Sequence, residues 1–373
     1  MRPDAVDVAI AGGGPAGAAA GLALARAGLR VRLCEHDGAR PFRVGEGLPP
    51  SARSLLRDLG VLDRMAADGH RTSPGTLAFW GSDRPHAEDT LFGVHGQGWQ
   101  LDRVRFDATL REAAAMAGAD VRNATLRLDA AGDARTPHRL VTRDAQGSET
   151  RLEARWLIDA SGRAASFARA FGAERIAHDR LFAFHLRLQG GADTDRDGRT
   201  QVESVKDGWW YSVLLPSGER LIAFLCDADA NVRRRLLDGD GLWRHIAHAP
   251  RLHALCRRHD WAPHGRAHGA DASSVELDRA AGERWLAVGD AALAFDPLSS
   301  KGISSALYTG LRAADAILAC NRGDATAVDA YARHLRDIHR IYRDQLHAFH
   351  AMEMRWPDAA FWRRRHVVEV HSA

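Results

Sequence analysis

Six residues near the amino terminus can bind a ligand through their backbone groups. They are Gly12, Gly13, Gly14, Pro15, Ala16 and Gly17. A β-type run, 6–11, precedes them, and an alanine- and leucine-rich helical run, 18–27, follows. In a strand–turn–helix context the first glycine permits a tight turn, the third lets a pyrophosphate approach, and the last allows close helix–strand packing. The helix amino terminus then faces the anion, so the pattern predicts a phosphate cradle.

A carboxylate follows at the distance expected for a ribose contact. A second β-type run, 29–34, ends at Glu35, which lies 18 residues after Gly17. A carboxylate in this place can accept hydrogen bonds from an adenosine ribose. A glycine-rich turn alone has a purely structural interpretation, but the two flanking elements and the acid together predict a dinucleotide site.

The loop after Glu35 favours FAD over NAD. Residues 41–50 are rich in turn formers and include Arg43 and the pair Gly45–Glu46. Such a loop fits a second wall around a larger ligand better than it fits a plain NAD site. A capped surface loop is the alternative interpretation.

A second strand–turn–helix pattern lies far down the chain. The run 285–288 ends at Gly289 and Asp290, and a helical run reaches residue 319. The connecting segment contains Pro297, Lys301, Gly302 and Ile303. Asp290 at a strand end can bind a ribityl hydroxyl. Backbone amides and the positive helix end near Gly302 can stabilise charge on the N1–C2=O side of a reduced flavin.

Composition excludes several other classes of protein. The chain has 373 residues, 45% of them hydrophobic and 27% charged, which is too long for one compact core and too apolar for disorder. The net charge of +3 comes from scattered charges of both signs, so we expect no nucleic-acid partner. The four cysteines form no close pair, which predicts no metal site and a reduced, cytoplasmic protein. Glycines, Pro15 and Arg26 interrupt the apolar run at 8–27, so we expect no membrane span.

The motifs together resemble the p-hydroxybenzoate-hydroxylase-like superfamily of FAD proteins. The resemblance rests on the glycine turn, Glu35, the segments 103–107 and 159–163, and the Gly289–Asp290 region, and it covers residues 6 to about 365. It implies FAD contacts at Gly12, Gly14, Gly17, Glu35, Arg43, Arg103 and Asp290. The predicted cofactor site also includes Gly13, Pro15, Ala16, Gly289, Pro297, Gly302 and Ile303.

The resemblance also implies the fold and its division. The expected class is α/β, with a discontinuous Rossmann-like FAD-binding domain, an inserted antiparallel-sheet substrate domain and a helical carboxyl-terminal region. FAD-binding parts are expected at 1–70, 101–175 and 276–322. A substrate-domain strand segment is expected at 71–100, substrate-domain sheet and helices at 176–275, and a carboxyl-terminal helix and tail at 323–373.

Within the superfamily, residues 45–46, 209–216 and 296–298 resemble the flavin-dependent tryptophan halogenases. Those enzymes use a lysine after the Gly-Glu motif to handle hypohalous acid, yet this chain has no lysine between Glu46 and Arg103. Its two lysines are Lys206 and Lys301. The halogenase patterns that end at residue 216 and follow residue 298 are altered as well. These departures argue against halogenation.

A closer resemblance is to the LodB-like flavoproteins, which act in the maturation of quinone cofactors. Segments 45–50, 208–216, 295–303 and 355–362 carry it. This resemblance implies modification of a tryptophan in a partner oxidase precursor on the way to cysteine tryptophylquinone. The same aromatic and arginine-rich tail, 355–365, is either a docking patch or a segment folded back onto the first domain.

Strand patterns in the middle of the chain predict the substrate side. The segments 181–188, 209–215 and 220–225 read as antiparallel strands, and 76–80 reads as a further strand of the same sheet. In the fold that the chain resembles, such a sheet roofs the isoalloxazine ring. The candidate substrate contacts are Trp80, His185, Trp210 and Tyr211, whose rings can sandwich an indole. Ordinary core packing is the alternative for each.

These observations lead to the hypothesis of an FAD-dependent monooxygenase. Reduced FAD would react with O₂ and transfer hydroxyl to an aromatic side chain, with electrons from NAD(P)H or from flavin reduced elsewhere. Glu46 and Lys301 are the candidate catalytic residues. The alternatives are a small-molecule aromatic hydroxylase, a halogenase-like enzyme, an isoprenoid reductase, and a non-catalytic FAD-bound maturation chaperone.

Overall fold

The structure is a computed structural model that describes residues 4–36, 42–90 and 96–366. Of the predicted segments, the two chain ends, residue 41 of the loop at 41–50, and residues 91–95 lie outside the described residues. Among the described residues, no helix is long and apolar enough to cross a membrane.

The described residues form twenty strands and eleven α-helices. The strands are β1 (Asp4–Ala11), β2 (Val31–Glu35), β3 (Gly47–Leu48), β4 (Arg71–Ser73), β5 (Gly75–Phe79), β6 (His86–Asp89), β7 (Gly98–Gln100), β8 (Asp120–Ala130), β9 (His138–Asp144), β10 (Glu149–Asp159), β11 (Arg175–Ala177), β12 (Leu181–Gln189), β13 (Thr200–Val205), β14 (Gly208–Leu214), β15 (Arg220–Asp227), β16 (Ala262–Asp271), β17 (Val275–Leu277), β18 (Ala281–Gly282), β19 (Trp285–Ala287) and β20 (Leu293–Ala294). The helices are α1 (Pro15–Arg26), α2 (Ala52–Asp58), α3 (Leu62–Ala67), α4 (Arg103–Met116), α5 (Ser166–Ala170), α6 (Ala230–Leu237), α7 (Gly241–His245), α8 (Pro250–Arg258), α9 (Gly302–Asn321), α10 (Ala327–Ala351) and α11 (Ala360–His366).

A parallel sheet carries the nucleotide motifs. β1 pairs in parallel with β2 on one side and with β10 on the other, and β10 pairs in parallel with β19. β2 pairs with the first residues of β8, while the remainder of β8 forms an antiparallel meander with β9 and β10. The carboxyl ends of β1, β2 and β19 therefore lie at one edge of the sheet, where ligands of open parallel sheets bind.

Close helix packing brings the two distant motifs together. Helices α1 and α9 lie so near each other that a Cβ placed at Gly310 would be 2.3 Å from the Ala16 carbonyl oxygen. A Cβ placed at Gly289 would be 2.9 Å from the Ala16 Cβ. Small residues at these positions let the amino end of α1 pack against the middle of α9 and against the turn after β19.

A second, mostly antiparallel sheet covers that edge. Its strand order is β16-β12-β15-β14-β13-β5-β6, and only the β13–β5 pairing within it is parallel. β5 lies where the sequence predicts a strand of this sheet. The chain thus enters the sheet before α4, returns to the parallel sheet, and enters it again after α5. The α/β class with an interleaved antiparallel sheet is confirmed, whereas the domain limits given above stay a prediction.

The carboxyl-terminal region is helical, as expected, but its tail packs on the second sheet. α10 runs from Ala327 to Ala351, and the chain then folds back through α11. Trp362 is fully buried, and its Nε1 donates to the Val205 carbonyl at 2.9 Å. Of the two alternatives for the tail, the one that folds it onto the first domain is wrong, because the buried Trp362 ring packs against the substrate-side sheet.

Candidate active site

The glycine turn leaves open space at the amino end of α1. Gly12 has a φ of +108°, and a Cβ there would lie 2.2 Å from the Ala160 carbonyl oxygen, so a side chain cannot be accommodated. A Cβ at Gly17 would lie 1.9 Å from the Gly12 oxygen. A Cβ at Gly14, in contrast, meets no atom within 4 Å. The turn is thus tight at its ends and open in the middle, where a phosphate group can reach the helix amino terminus.

A series of ion pairs and hydrogen bonds holds the segment beside this turn in place. The Glu35 carboxylate accepts from the Gly13 amide at 2.5 Å and pairs with Arg43 at 3.2 Å. Arg43 and Arg103 both contact the buried Asp107, at 3.1 and 3.3 Å. Arg103 also donates to the Gly45 carbonyl at 2.9 Å. These contacts fix the loop around Gly45, while the ribose contact of Glu35 stays a prediction.

One cavity of about 370 Å³ joins the flavin motifs to the second sheet. Of the predicted cofactor residues, Gly14, Pro15, Ala16, Arg103, Gly289, Asp290, Pro297, Gly302 and Ile303 line it. Gly12, Gly13, Gly17, Glu35 and Arg43 are not among its lining residues. The motifs from the two ends of the chain therefore meet in one space, as the sequence predicts.

The side chain of Asp290 lines this cavity. Its side chain is 43% exposed, and Arg163 lies 3.9 Å away. Burial among the surrounding protein atoms raises the pKa of Asp290, and Arg163 and Arg103 partly offset that effect. A carboxylate in this setting is suited to accept hydrogen bonds from ligand hydroxyls.

Glu46 and Tyr211 form a hydrogen-bonded pair in the lining of the cavity, in which Glu46 is buried and Tyr211 is partly buried. Glu46 is 2% exposed, and its carboxylate accepts from the Gly45 amide at 2.9 Å. Burial raises the pKa of Glu46, while hydrogen bonds from Gly45 and Tyr211 act in the opposite direction. Burial and the Glu46 charge together raise the pKa of Tyr211, so its hydroxyl stays protonated and donates to the carboxylate. A carboxylate with a raised pKa that faces a cavity is suited to proton transfer.

The second sheet presents its aromatic rings by strand alternation. Trp209 and Tyr211 of β14 both line the cavity. Trp210 lies between them, is fully buried and stacks on Phe224 at 4.9 Å on the other face of the sheet, in the core under α6 to α8. Successive strand residues point to opposite faces, so Trp210 and Tyr211 cannot both contact one ligand. The prediction for Trp210 is corrected, and Trp209 takes its place in the candidate site.

Two further predicted residues lie outside the cavity lining. Trp80 Nε1 donates to the Phe349 carbonyl at 2.8 Å, and its ring packs on Trp362 at 5.3 Å, so it serves to hold the tail. Lys301 is exposed at the start of α9, where its Nζ donates to Gln345 at 2.8 Å. That contact directs the ammonium group toward α10 and not toward the cavity, so the catalytic role predicted for Lys301 is not supported.

His185 lines the cavity from β12. Its ring stacks on His268 at 5.5 Å and lies 6.2 Å from Phe42. Burial, with smaller contributions from His268 and Arg187, lowers the pKa of His185 to about 4. The imidazole is therefore neutral at physiological pH and can act as a flat, uncharged wall.

Arg163 and Asp296 are among the polar residues of the cavity that sequence reasoning missed. Arg163 lines it and donates to the Ser273 carbonyl at 2.8 Å. Asp296 is 1% exposed; one carboxylate oxygen accepts from the Leu298 amide at 2.9 Å, and the other is buried with no partner. Burial and the nearby Asp179 raise the pKa of Asp296 to about 7. Both residues stood inside motifs quoted for the family resemblance, and only the three-dimensional contacts distinguish them from their neighbours.

Comparison with known proteins agrees with this geometry. Residues 5–340 match the family model of the FAD binding domain. LodB of Marinomonas mediterranea, named as an FAD-dependent oxidoreductase, is 29% identical over 98% of both chains. The structure of the myxobacterial chondrochloren halogenase CndH superposes with a TM-score of 0.88 at 24% identity, covering 99% of this chain and 87% of that one. The structure of QhpG, described as a peptidyl tryptophan dihydroxylase essential for tryptophylquinone cofactor biogenesis, gives a TM-score of 0.76 at 24% identity, covering 100% of this chain and 80% of that one.

Three observations indicate the same cofactor. They are the family match, the residues that line the cavity, and the position of the two glycine motifs. The open turn at Gly14, the carboxylate of Asp290 and the amino end of α9 at Gly302 fit FAD in its extended form. The chain belongs to the FAD binding domain family and is an FAD-dependent, LodB-like oxidoreductase.

Proposed function

We propose that this protein uses reduced FAD and O₂ to hydroxylate a tryptophan side chain of a partner oxidase precursor, during formation of a tryptophylquinone cofactor. The observation that carries the proposal is the single cavity in which the flavin motifs face the rings of Trp209 and Tyr211 and the buried carboxyl of Glu46. LodB and QhpG support it, since QhpG is described as acting on a peptidyl tryptophan.

The reaction balances without a metal. FAD, when bound and reduced by NAD(P)H or by external reduced flavin, would supply two electrons and two protons to O₂. One oxygen atom forms a bond to the ring carbon and the other leaves as water. The hydrogen that the ring loses leaves as a proton, for which the site must offer an acceptor.

Residues of this chain can orient the ring and take that proton. Trp209, Tyr211 and His185 give the cavity flat walls against which an indole can pack while water is excluded. Glu46 is the acceptor, because burial makes its carboxylate a stronger base than a surface carboxylate. Tyr211 is a positioning residue, since its hydrogen bond holds the carboxylate at the cavity wall.

The lysines do not support halogenation. The sequence has no lysine between Glu46 and Arg103, and neither Lys206 nor Lys301 lines the cavity. A site without an ammonium group has nothing to capture hypohalous acid in the way the halogenase resemblance requires. Hydroxylation therefore accounts for the cavity better than halogenation does.

The test is a single turnover with isotopically labelled O₂. The FAD-loaded protein is reduced without oxygen and mixed with labelled O₂ and a tryptophan-containing peptide, and the products are analysed by mass spectrometry. Labelled oxygen on the peptide tryptophan supports the proposal. Labelled free tryptophan with no labelled peptide would indicate a small-molecule hydroxylase, and oxidised flavin with no labelled product would contradict hydroxylation.

A further inference from the structure

A second, larger cavity lies beside the first. Its volume is about 1210 Å³. We call it the arginine groove, because its lining includes Arg180, Arg336, Arg340, Arg343, Arg364 and Arg365. Four aspartates, Asp179, Asp227, Asp229 and Asp344, and four histidines, His178, His339, His347 and His350, complete the charged and titratable lining. The flavin motifs use none of these residues.

The arginines of α10 form a stripe along one wall. Arg336, Arg340 and Arg343 are spaced four and three residues apart, which places them on one face of the helix. Arg340 is 69% exposed, and its contact with Asp337, at 3.4 Å, is between two exposed groups. Exposed pairs of this kind contribute little, about 0–1 kcal/mol, so the stripe can exchange such contacts for an anionic ligand.

Two of the four aspartates of the groove, Asp179 and Asp227, are contacted by donors of the fold. Asp227 is contacted by Arg364 at 2.6 Å and by Arg365 at 2.8 Å. Asp179 accepts from the amides of Leu181 and Ser274 at 2.9 and 3.1 Å. Asp227 thereby engages Arg364 and Arg365, so the arginines that the groove presents to a ligand are Arg180 and the three of the α10 stripe.

The floor of the groove contains a potential metal-ligand set that the cysteine pattern did not predict. The ligand atoms of His178, Glu276 and His339 lie within 4.8 Å of one another. Each Glu276 oxygen already contacts one imidazole, at 3.0 and 2.9 Å. A divalent cation bound there would also face Arg180 and the α10 stripe, which repel it. The electrostatics of the groove therefore favour an anion over a cation.

Tyr342 forms a shared wall between the groove and the flavin cavity. Its side chain lines the groove, and its hydroxyl contacts Ser274 Oγ at 2.8 Å. The same hydroxyl accepts from the amide of Asp296 at 2.7 Å, and Asp296 lines the flavin cavity. A chain bound in the groove would lie one residue layer from the site of oxidation.

We propose that the arginine groove binds an acidic segment of the protein that delivers the aromatic side chain to the cavity. The inference rests on the proposed function, since it assumes a polypeptide substrate. Arginine clusters recognise acidic peptides through charge-assisted hydrogen bonds, and a groove of this volume admits several residues.

The binding test uses the FAD-loaded protein and fluorescein-labelled deca-glutamate, followed by anisotropy at low salt. We expect saturable binding that weakens as sodium chloride is added. Arg336→Glu/Arg340→Glu should raise the Kd about tenfold. The control Arg312→Glu/Arg333→Glu makes the same net-charge change at exposed sites outside the groove lining and should leave the Kd within about twofold.

Three results would overturn the proposal: no binding of deca-glutamate, equal losses in the two double variants, or equal binding of deca-lysine. Displacement of the peptide by inorganic phosphate at matched ionic strength would also overturn it, because it would indicate a small-anion site. All these measurements use oxidised protein, so they fail independently of the hydroxylation experiment.

A kinetic comparison tests the delivery role. A tryptophan peptide with an acidic extension should have a lower KM than the same peptide with a neutral extension. Arg336→Glu/Arg340→Glu should remove that difference in KM while kcat stays unchanged, because neither residue lines the flavin cavity. A fall in kcat with no change in KM would contradict docking by the groove.

Discussion

At the scale of single residues, the account depends on the pair formed by Glu46 and Tyr211. A carboxyl that is 2% exposed needs a reason to remain in a protein interior, and its hydrogen bonds from Gly45 and Tyr211 offset only part of the cost of burial. Because the pair lies on the wall that faces the flavin motifs, proton transfer gives that reason.

Glu46→Gln should lower kcat for hydroxylation about 100-fold, because general acid–base groups contribute about that much or more. FAD absorbance of the purified variant should be unchanged, since the hydrogen-bond partners of Glu46 are Gly45 and Tyr211. Lys301→Met is the matched control and should retain full activity, because its Nζ contacts Gln345. Full activity in the Gln variant, or loss in the Met variant, would contradict the assignment.

Asp296 makes stability depend on pH in a defined direction. Burial raises its pKa from 3.8 in the unfolded chain to about 7, so the folded state resists ionisation. This unfavourable contribution grows as the pH rises above about 3.8 and levels off above about 7. Asp296→Asn should therefore stabilise the apoprotein more at pH 8 than at pH 5, by about 2–3 kcal/mol.

Urea unfolding of both apoproteins at the two pH values measures this difference. The Asn side chain keeps an oxygen to accept from the Leu298 amide, so the comparison isolates the charge. A stabilisation that is the same at both pH values would show that Asp296 is ionised in the fold without penalty.

At the scale of elements, the facing of the aromatic residues in strand β14 could be predicted from the sequence, although the site prediction missed it. The strand itself is predictable from its aromatic and β-branched residues. Tyr211 faces the cavity. Because side chains alternate along a strand, Trp209 also faces the cavity and Trp210 faces the core. A prediction that kept Tyr211 and applied the two-residue period would have chosen Trp209.

Trp209→Phe should raise the KM for the aromatic substrate several-fold, because it reshapes the cavity wall. Trp210→Phe, one residue away, should leave the KM unchanged and lower the free energy of unfolding by about 1–3 kcal/mol, because it opens a gap in the core. Steady-state kinetics and urea unfolding distinguish the two. A KM effect at Trp210 would contradict the register.

The segment after α10 is held to the substrate sheet by a buried carboxylate. Glu353 accepts from Ser204 at 2.6 Å, from the Gly81 amide at 2.8 Å and from Arg355 at 2.6 Å. The contacts with Ser204 and Gly81 join the tail to strand β13 and to the segment after β5, which sequence patterns could not show because they link residues far apart in the chain.

Arg355→Ala should destabilise the protein by about 2–4 kcal/mol, since it leaves the Glu353 charge buried without its cation. The double variant Glu353→Gln/Arg355→Ala should recover part of that loss, because the charge is removed as well. Thermal unfolding of the three proteins provides the measurement, and a double variant less stable than Arg355→Ala would refute the pairing.

At the scale of the whole molecule, local sequence motifs were enough to predict the parallel sheet and the cofactor. Gly12 to Gly17, Glu35 and Asp290 each belong to a short strand–turn pattern, so their places could be predicted from spacing. The antiparallel roof was predictable as strands. The side-chain contacts of Trp80 and Lys301 were not, because they depend on Phe349, Trp362 and Gln345 in the distant carboxyl-terminal region.

The interleaving of the two sheets gives the enzyme its working arrangement. One sheet and its helices hold the cofactor, the other closes over it, and α10 separates the cavity from the arginine groove through Tyr342. The two proposals thus place substrate recognition and oxidation in neighbouring spaces that share a wall.

The measurement that tests the central claim most directly is labelled-oxygen transfer by the reduced, FAD-loaded protein to a tryptophan peptide that carries an acidic extension. The account predicts labelled oxygen on the tryptophan ring with the native protein, and loss of that label in Glu46→Gln at unchanged FAD content. Flavin oxidation by O₂ with no label on the peptide, or bromination of the peptide when bromide is present, would contradict it.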